Sequence, residues 1–132
     1  MREILFRGKR ADNGEWVYGS PIFQDNYVII RFWNSEEFEY EEHLIIPETV
    51  GQYTGLTDKN GKKIFEGDIL NGLFYLHPYR KIFQVGYEVN GFYFFDEDDE
   101  DEVGWHPSHI VDYEVIGNIH DNPELLKGGE AE

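Results

Sequence analysis

His106-Pro107-Ser108-His109, followed by His120 and Asp121, is the stretch whose side chains could most directly do chemistry. Neutral imidazoles with a carboxylate make a legitimate zinc set, so a metal-dependent enzyme using His106, His109 and His120 is one alternative. The spacing does not favour it. The helical His-Glu-x-x-His arrangement is absent, and Pro107 discourages a helix through the pair. Ser108 sits beside two histidines, but no Gly-x-Ser-x-Gly elbow presents it as a nucleophile. His43 and His77 are isolated. Ordinary hydrogen-bonded or surface histidines account for all five, so no catalytic residue and no metal ligand is assigned.

Two other patterns invite chemistry and fail on spacing. Gly55 to Lys62 is bounded by glycine and lysine like a phosphate loop. Such a loop needs four residues between its glycines, a Ser or Thr after its lysine, and a helix to follow. Here five residues intervene, Lys63 follows Lys62, and no helix pattern comes next. A hairpin turn explains the same residues. Asp96 through Glu102 are seven acids in a row. Calcium loops instead alternate their carboxylates around a glycine turn so that the oxygens converge. Neither pattern implies a cofactor.

The elements that would have to position any site are read from composition and turns. The chain has 132 residues, a length that fits one domain, expected over residues 1–128 with a frayed tail at 129–132. Three Trp, nine Tyr and ten Phe supply a core without a disulfide, and there is no cysteine to form one. The absence of cysteine fits a reducing compartment. No apolar run is long enough to span a bilayer, and charge at Arg7 and Lys9 comes too early for a secretory leader. A cytoplasmic protein of a bacterial host cell, with no membrane partner, is expected.

The formal charge of −16 repels nucleic-acid phosphate and anionic lipid unless bases are segregated. Acid gathers at Glu36, Glu37, Glu39, Glu41 and Glu42, and again at Asp96–Glu102. Glu37-Phe38-Glu39-Tyr40-Glu41 alternates strictly, which puts Phe38 and Tyr40 on one face of a strand and carboxylates on its wet face. Seven adjacent like charges at 96–102 cannot pack together, so an acidic loop is expected there.

The local signals are overwhelmingly β. Asn13-Gly14, Asn60-Gly61 and Asn90-Gly91 each suit a tight hairpin, because both turn positions need positive φ. Glu66-Gly67-Asp68 bends the chain again. Residues 27–33, 83–89 and 113–119 are β-branched and aromatic, as strands are. Asn122, Pro123 and Gly128 punctuate one short C-terminal helix. Short antiparallel strands joined by hairpins predict a mainly β, barrel-like or sandwich fold.

The segment Pro47-Glu48-Thr49-Val50-Gly51-Gln52-Tyr53-Thr54-Gly55-Leu56-Thr57-Asp58-Lys59-Asn60-Gly61-Lys62-Lys63-Ile64-Phe65-Glu66-Gly67-Asp68-Ile69 closely resembles the signature of the YopX family of phage and prophage proteins. The opening residues 2–9 and 14–19 resemble that family's start, and residues 113–126 its end. Residues 71–112 match less clearly. The resemblance implies a phage-type, β-rich cytoplasmic protein and brings no activity, cofactor or catalytic residue with it.

Exposed polar loop residues on a rigid sheet commonly bind. On that ground Tyr53, Asp58, Lys59, Glu66 and Asp68 are the candidate binding residues. The expected function is that of a non-catalytic accessory module that binds a macromolecule of host or phage machinery, protein rather than nucleic acid. The partner's identity and the oligomeric state stay open. Two further alternatives also stay open. One is an acidic nucleic-acid mimic that occupies a DNA-binding protein, which needs Glu36–Glu42 and Asp96–Glu102 on one face. The other is a nucleic-acid binder acting through the basic hairpins 7–10 and 59–63.

Overall fold

Short runs of β-branched and aromatic residues, cut by glycine turns, become strands in the computed structural model, which describes residues 3–75, 79–88, 91–96 and 104–127. The expectations placed on His77, Asn90, Glu97–Glu102, Gly128 and residues 129–132 lie outside the described residues. All assigned strand pairs are antiparallel, and they belong to two sheets. The mainly β expectation holds. The chain divides into two compact units, Met1–Tyr53 and Thr54–Glu132.

In the first unit, β1 (Phe6–Lys9), β2 (Trp16–Phe23), β3 (Val28–Asn34) and β4 (Glu39–Ile45) run as successive hairpins, and β5 (Gly51–Thr57) returns to pair with β1. The first turn falls at Asn13-Gly14, but there, as at Asn60-Gly61, only the glycine takes positive φ, against the expectation for both positions. Gly14 has φ +75°, and its amide donates to the Arg10 carbonyl at 2.9 Å. Strand β2 changes partner along its length. Trp16–Gly19 pair with β1, while Ser20–Phe23 pair with β3. The Arg31 carbonyl oxygen comes so near Gly19 that a Cβ there would stand 2.4 Å from it. Only glycine fits. A single bridge, Arg10 to Ile45, joins the end of β4 to the residue after β1, short of a ladder that would close a barrel. Val28, Ile30 and Ile45 form the core, with Val17 and Val50 packed against them.

In the second unit, β6 (Lys63–Phe65) follows the latter half of β5 around Asn60-Gly61. Next come β7 (Asp68–Phe74), β8 (Arg80–Glu88), β9 (Gly91–Asp96) and β10 (Ile110–Asn118), in the sheet order β10-β7-β8-β9. Ile64, Leu70, Phe74, Phe83, Val85, Phe94 and Ile110 make its core. Fully burying one such side chain contributes roughly 1.5–3 kcal/mol. Strand β10 departs from regular pairing between Val111 and Glu114, where Asp112 takes a positive φ of 53°. The short C-terminal helix is a 3₁₀ helix over Pro123–Lys127. No helix among the described residues is long and apolar enough to cross a membrane.

Candidate binding surface

Asp58 sits where the Asn60-Gly61 hairpin turns, and its carboxylate is almost fully used by backbone. One oxygen accepts from the amides of Asn60 and Lys62, each at 2.9 Å. The other accepts from the amide of Val115 on β10 at 2.9 Å. Burial by itself would raise the carboxyl pKa, but the three amide bonds and the nearby Lys62 outweigh it and hold the group below the ordinary carboxylate range. The same arrangement raises the Tyr113 hydroxyl, through burial first and the Asp58 charge second. Asp68 does a similar local job at the next turn. It is buried, and its carboxylate accepts the Phe65 amide at 2.7 Å.

The five residues singled out by sequence therefore differ in environment. Tyr53, Asp58 and Asp68 are buried, Glu66 is half-buried, and Lys59 is exposed. Tyr53 belongs to the first unit and the other four to the second. Polar type and loop position raised all five as exposed. Sequence does not show that two of the carboxylates turn inward to satisfy amides.

Lys59 reaches a polar group that the sequence did not announce. Its ammonium lies 3.9 Å from Asp112 and 3.8 Å from Glu114. Arg80 pairs with the same Asp112 carboxylate and donates to Asn71 at 3.1 Å. The irregularity in β10 is what turns Asp112 towards both cations. Such irregularities insert an extra residue and re-aim a side chain, with no signature in residue type.

The basic hairpins hold less free charge than their sequence suggests. Arg7 is buried with its guanidinium 4.6 Å from the Trp16 ring, and Arg10 pairs with Asp12 at 2.7 Å. At the histidines, the rings of His106 and His109 lie 6.4 Å apart, and Nδ1 of His106 accepts the Ser108 amide at 3.1 Å. Among the described residues no group of three or more His, Asp or Glu is placed to hold a metal.

The hairpin of β3 and β4 reverses an expectation. Register puts Val28 opposite Ile45, Ile30 opposite His43 and Phe32 opposite Glu41, so the side holding the buried Val28 and Ile30 carries Glu41. Arg31 opposite Glu42, and Trp33 opposite Tyr40, occupy the other side, which is the wet one. Tyr40 is 58% exposed and Trp33 49%. Phe38 precedes the strand, in the turn, with φ 53° and 82% of its surface exposed. Trp33 meets Tyr40 edge-on at 5.0 Å and Phe38 at 6.2 Å. The Glu41 carboxylate, meanwhile, is held by the Asn34 amide and by His43 at 3.0 Å, which lower its pKa in that order. Glu37 and Phe38 fall in the turn, so the alternation expected over residues 37–41 holds only from Glu39 onward, and β3 decides that Tyr40 rather than Glu41 meets water.

Around this aromatic face the charge is acidic. Arg31 stacks 4.0 Å from the Tyr40 ring centre and lies 3.6 Å from Glu42. Glu36 and Glu37, in the turn beside Phe38, are exposed, and no ion pair holds them among the described residues, while the exposed Glu39 lies opposite Asn34 on the Glu41 side. Chemically, the surface offers flat apolar anchors beside uncompensated carboxylates, and nothing that would break a bond.

The family described as YopX protein matches residues 5–127. A crystal structure of protein EF1440 from Enterococcus faecalis is similar, with 28% identity and a TM-score of 0.58. That likeness covers 96% of this chain and 99% of the other. None of the curated proteins matches. With the family matched over nearly the whole sequence, the chain belongs to the YopX family of phage and prophage proteins.

Proposed function

We propose that this protein is a non-catalytic module that binds another protein of the host or phage machinery in the bacterial cytoplasm, through the β3–β4 hairpin. The observation that carries this reading is Trp33, Phe38 and Tyr40 together in solvent. Aromatic side chains dominate the energy of protein interfaces, and single exposed ones need no explanation, but two rings gathered on a third do. The strained backbone of Phe38 adds support, because a non-glycine residue at positive φ costs about 1–2 kcal/mol that its exposed ring does not recover.

We read residues 1–128 as one domain in this role, supported by the family match running through both units. Within the family segment, Lys59 and Glu66 are a secondary contact, with Tyr53, Asp58 and Asp68 holding the segment in shape. The basic hairpins give the nucleic-acid reading little support, since Arg7, Arg10 and Lys59 each lie against local groups.

The test is affinity capture from phage-infected cells, using the native chain and a Trp33→Ser/Tyr40→Ser variant. One or a few proteins should be recovered by the native chain and lost by the variant, with melting temperature nearly unchanged. Identical recovery by both chains would dismiss the hairpin as the binding surface.

A further inference from the structure

We infer that the partner segment is cationic, an arginine- or lysine-bearing stretch of polypeptide laid across Trp33, Phe38 and Tyr40 with its charges at Glu36 and Glu37 in the adjoining turn. This rests on the protein-binding reading and names the chemistry of the same surface. Charge complementarity decides the occupant. A neutral apolar partner would cover the three aromatics and also strip water from two carboxylates with no cation to replace it. A nucleic acid would bring phosphate against them. A second copy docking by the same face would set its own five hairpin glutamates against these five. A cationic polypeptide is attracted by Glu36, Glu37 and the open aromatic rings, and Arg31, already matched by Glu42, is the one like charge it meets on this face.

The hairpin already holds one guanidinium in this way. Arg31 lies 4.0 Å from the Tyr40 ring centre and 3.6 Å from Glu42, an aromatic face and a carboxylate sharing one cation. Trp33 and Phe38 are exposed beside it, and Glu36 and Glu37 have no cation of their own among the described residues. Asn34 holds the turn that presents them, its side-chain oxygen accepting the Glu36 and Glu37 amides at 3.0 and 3.2 Å.

The experiment is calorimetric titration with a short peptide alternating arginine and leucine, against the same peptide with citrulline for arginine. The native chain is compared with Glu36→Gln/Glu37→Gln and with Trp33→Ser/Tyr40→Ser. A third variant, Glu48→Gln/Glu124→Gln, removes equal charge elsewhere. The arginine peptide should bind the native chain and the third variant alike, and bind the first variant about tenfold more weakly, a loss of ~1.4 kcal/mol. The citrulline peptide should weaken similarly on the native chain. Equal binding of both peptides, equal loss from the distant substitutions, or no binding by the native chain overturns the cationic partner. If the hairpin glutamines change nothing but Trp33→Ser/Tyr40→Ser still weakens binding, only this inference fails. If the aromatic variant also binds as the native chain does, the protein-binding surface fails with it.

Discussion

The Val115 amide donates to the Asp58 carboxylate across 57 residues of chain, at 2.9 Å. That bond ties the β5–β6 turn to the last strand, and the same carboxylate closes the turn itself through Asn60 and Lys62. The acid in the middle of the family signature is therefore a structural clamp.

Removing the clamp leaves three amides without their acceptor. Asp58→Ala should cost about 3 kcal/mol, since each buried donor left unsatisfied costs roughly 1–3 kcal/mol and the turn can re-solvate in part. The Asp58 pKa is depressed by folding, so its stabilisation is fully present above the ordinary aspartate range and is lost as pH falls through the lowered folded value. Urea unfolding across acid pH should show the difference between native chain and variant shrinking there. A difference independent of pH would contradict the assignment.

Two glycines separate close approach from backbone freedom. At Gly19 an added Cβ meets a backbone carbonyl at 2.4 Å, which cannot step aside as a side chain can. Gly19→Ala should destabilise by about 3 kcal/mol, the upper end of ordinary overpacking. At Gly61 φ is +85° and nothing lies within 4 Å, so the constraint is conformational alone. Gly61→Asn should be nearly silent, because asparagine tolerates left-handed backbone. Reversed midpoints in urea would refute both readings.

Phe38 should trade stability for binding. It is a large apolar side chain, yet Phe38→Gly should leave stability unchanged or raise it by up to about 1 kcal/mol, as relieved strain offsets the lost contact with Trp33. Partner capture should weaken in the same variant. A clear loss of melting temperature would mean the ring contributes to packing after all.

Glu41 should make the hairpin sensitive to acid. Asn34 and then His43 lower its pKa, so its contribution is present above the ordinary glutamate range and disappears as pH falls through the lowered value. Glu41→Gln should therefore narrow its stability gap to the native chain in acid, read from thermal melts over a pH series. A gap that widens in acid would reverse the sign.

Residue types and turn dipeptides by themselves determined the class of fold and several of its chain reversals. Asn13-Gly14, Asn60-Gly61 and Glu66-Gly67-Asp68 were legible because a turn is a local event, set by which residues accept positive φ. The family, too, was legible in the contiguous stretch 47–69. What only the tertiary structure decided was direction: which side of β4 meets water, which way Asp58 and Asp68 point, and where β10 carries Asp112. Alternation gives two faces without naming the buried one, and a carboxylate's partners are amides that bear no mark in sequence. Those choices were made by Val28 and Ile30 in the strand alongside, and by a backbone arriving from 57 residues away.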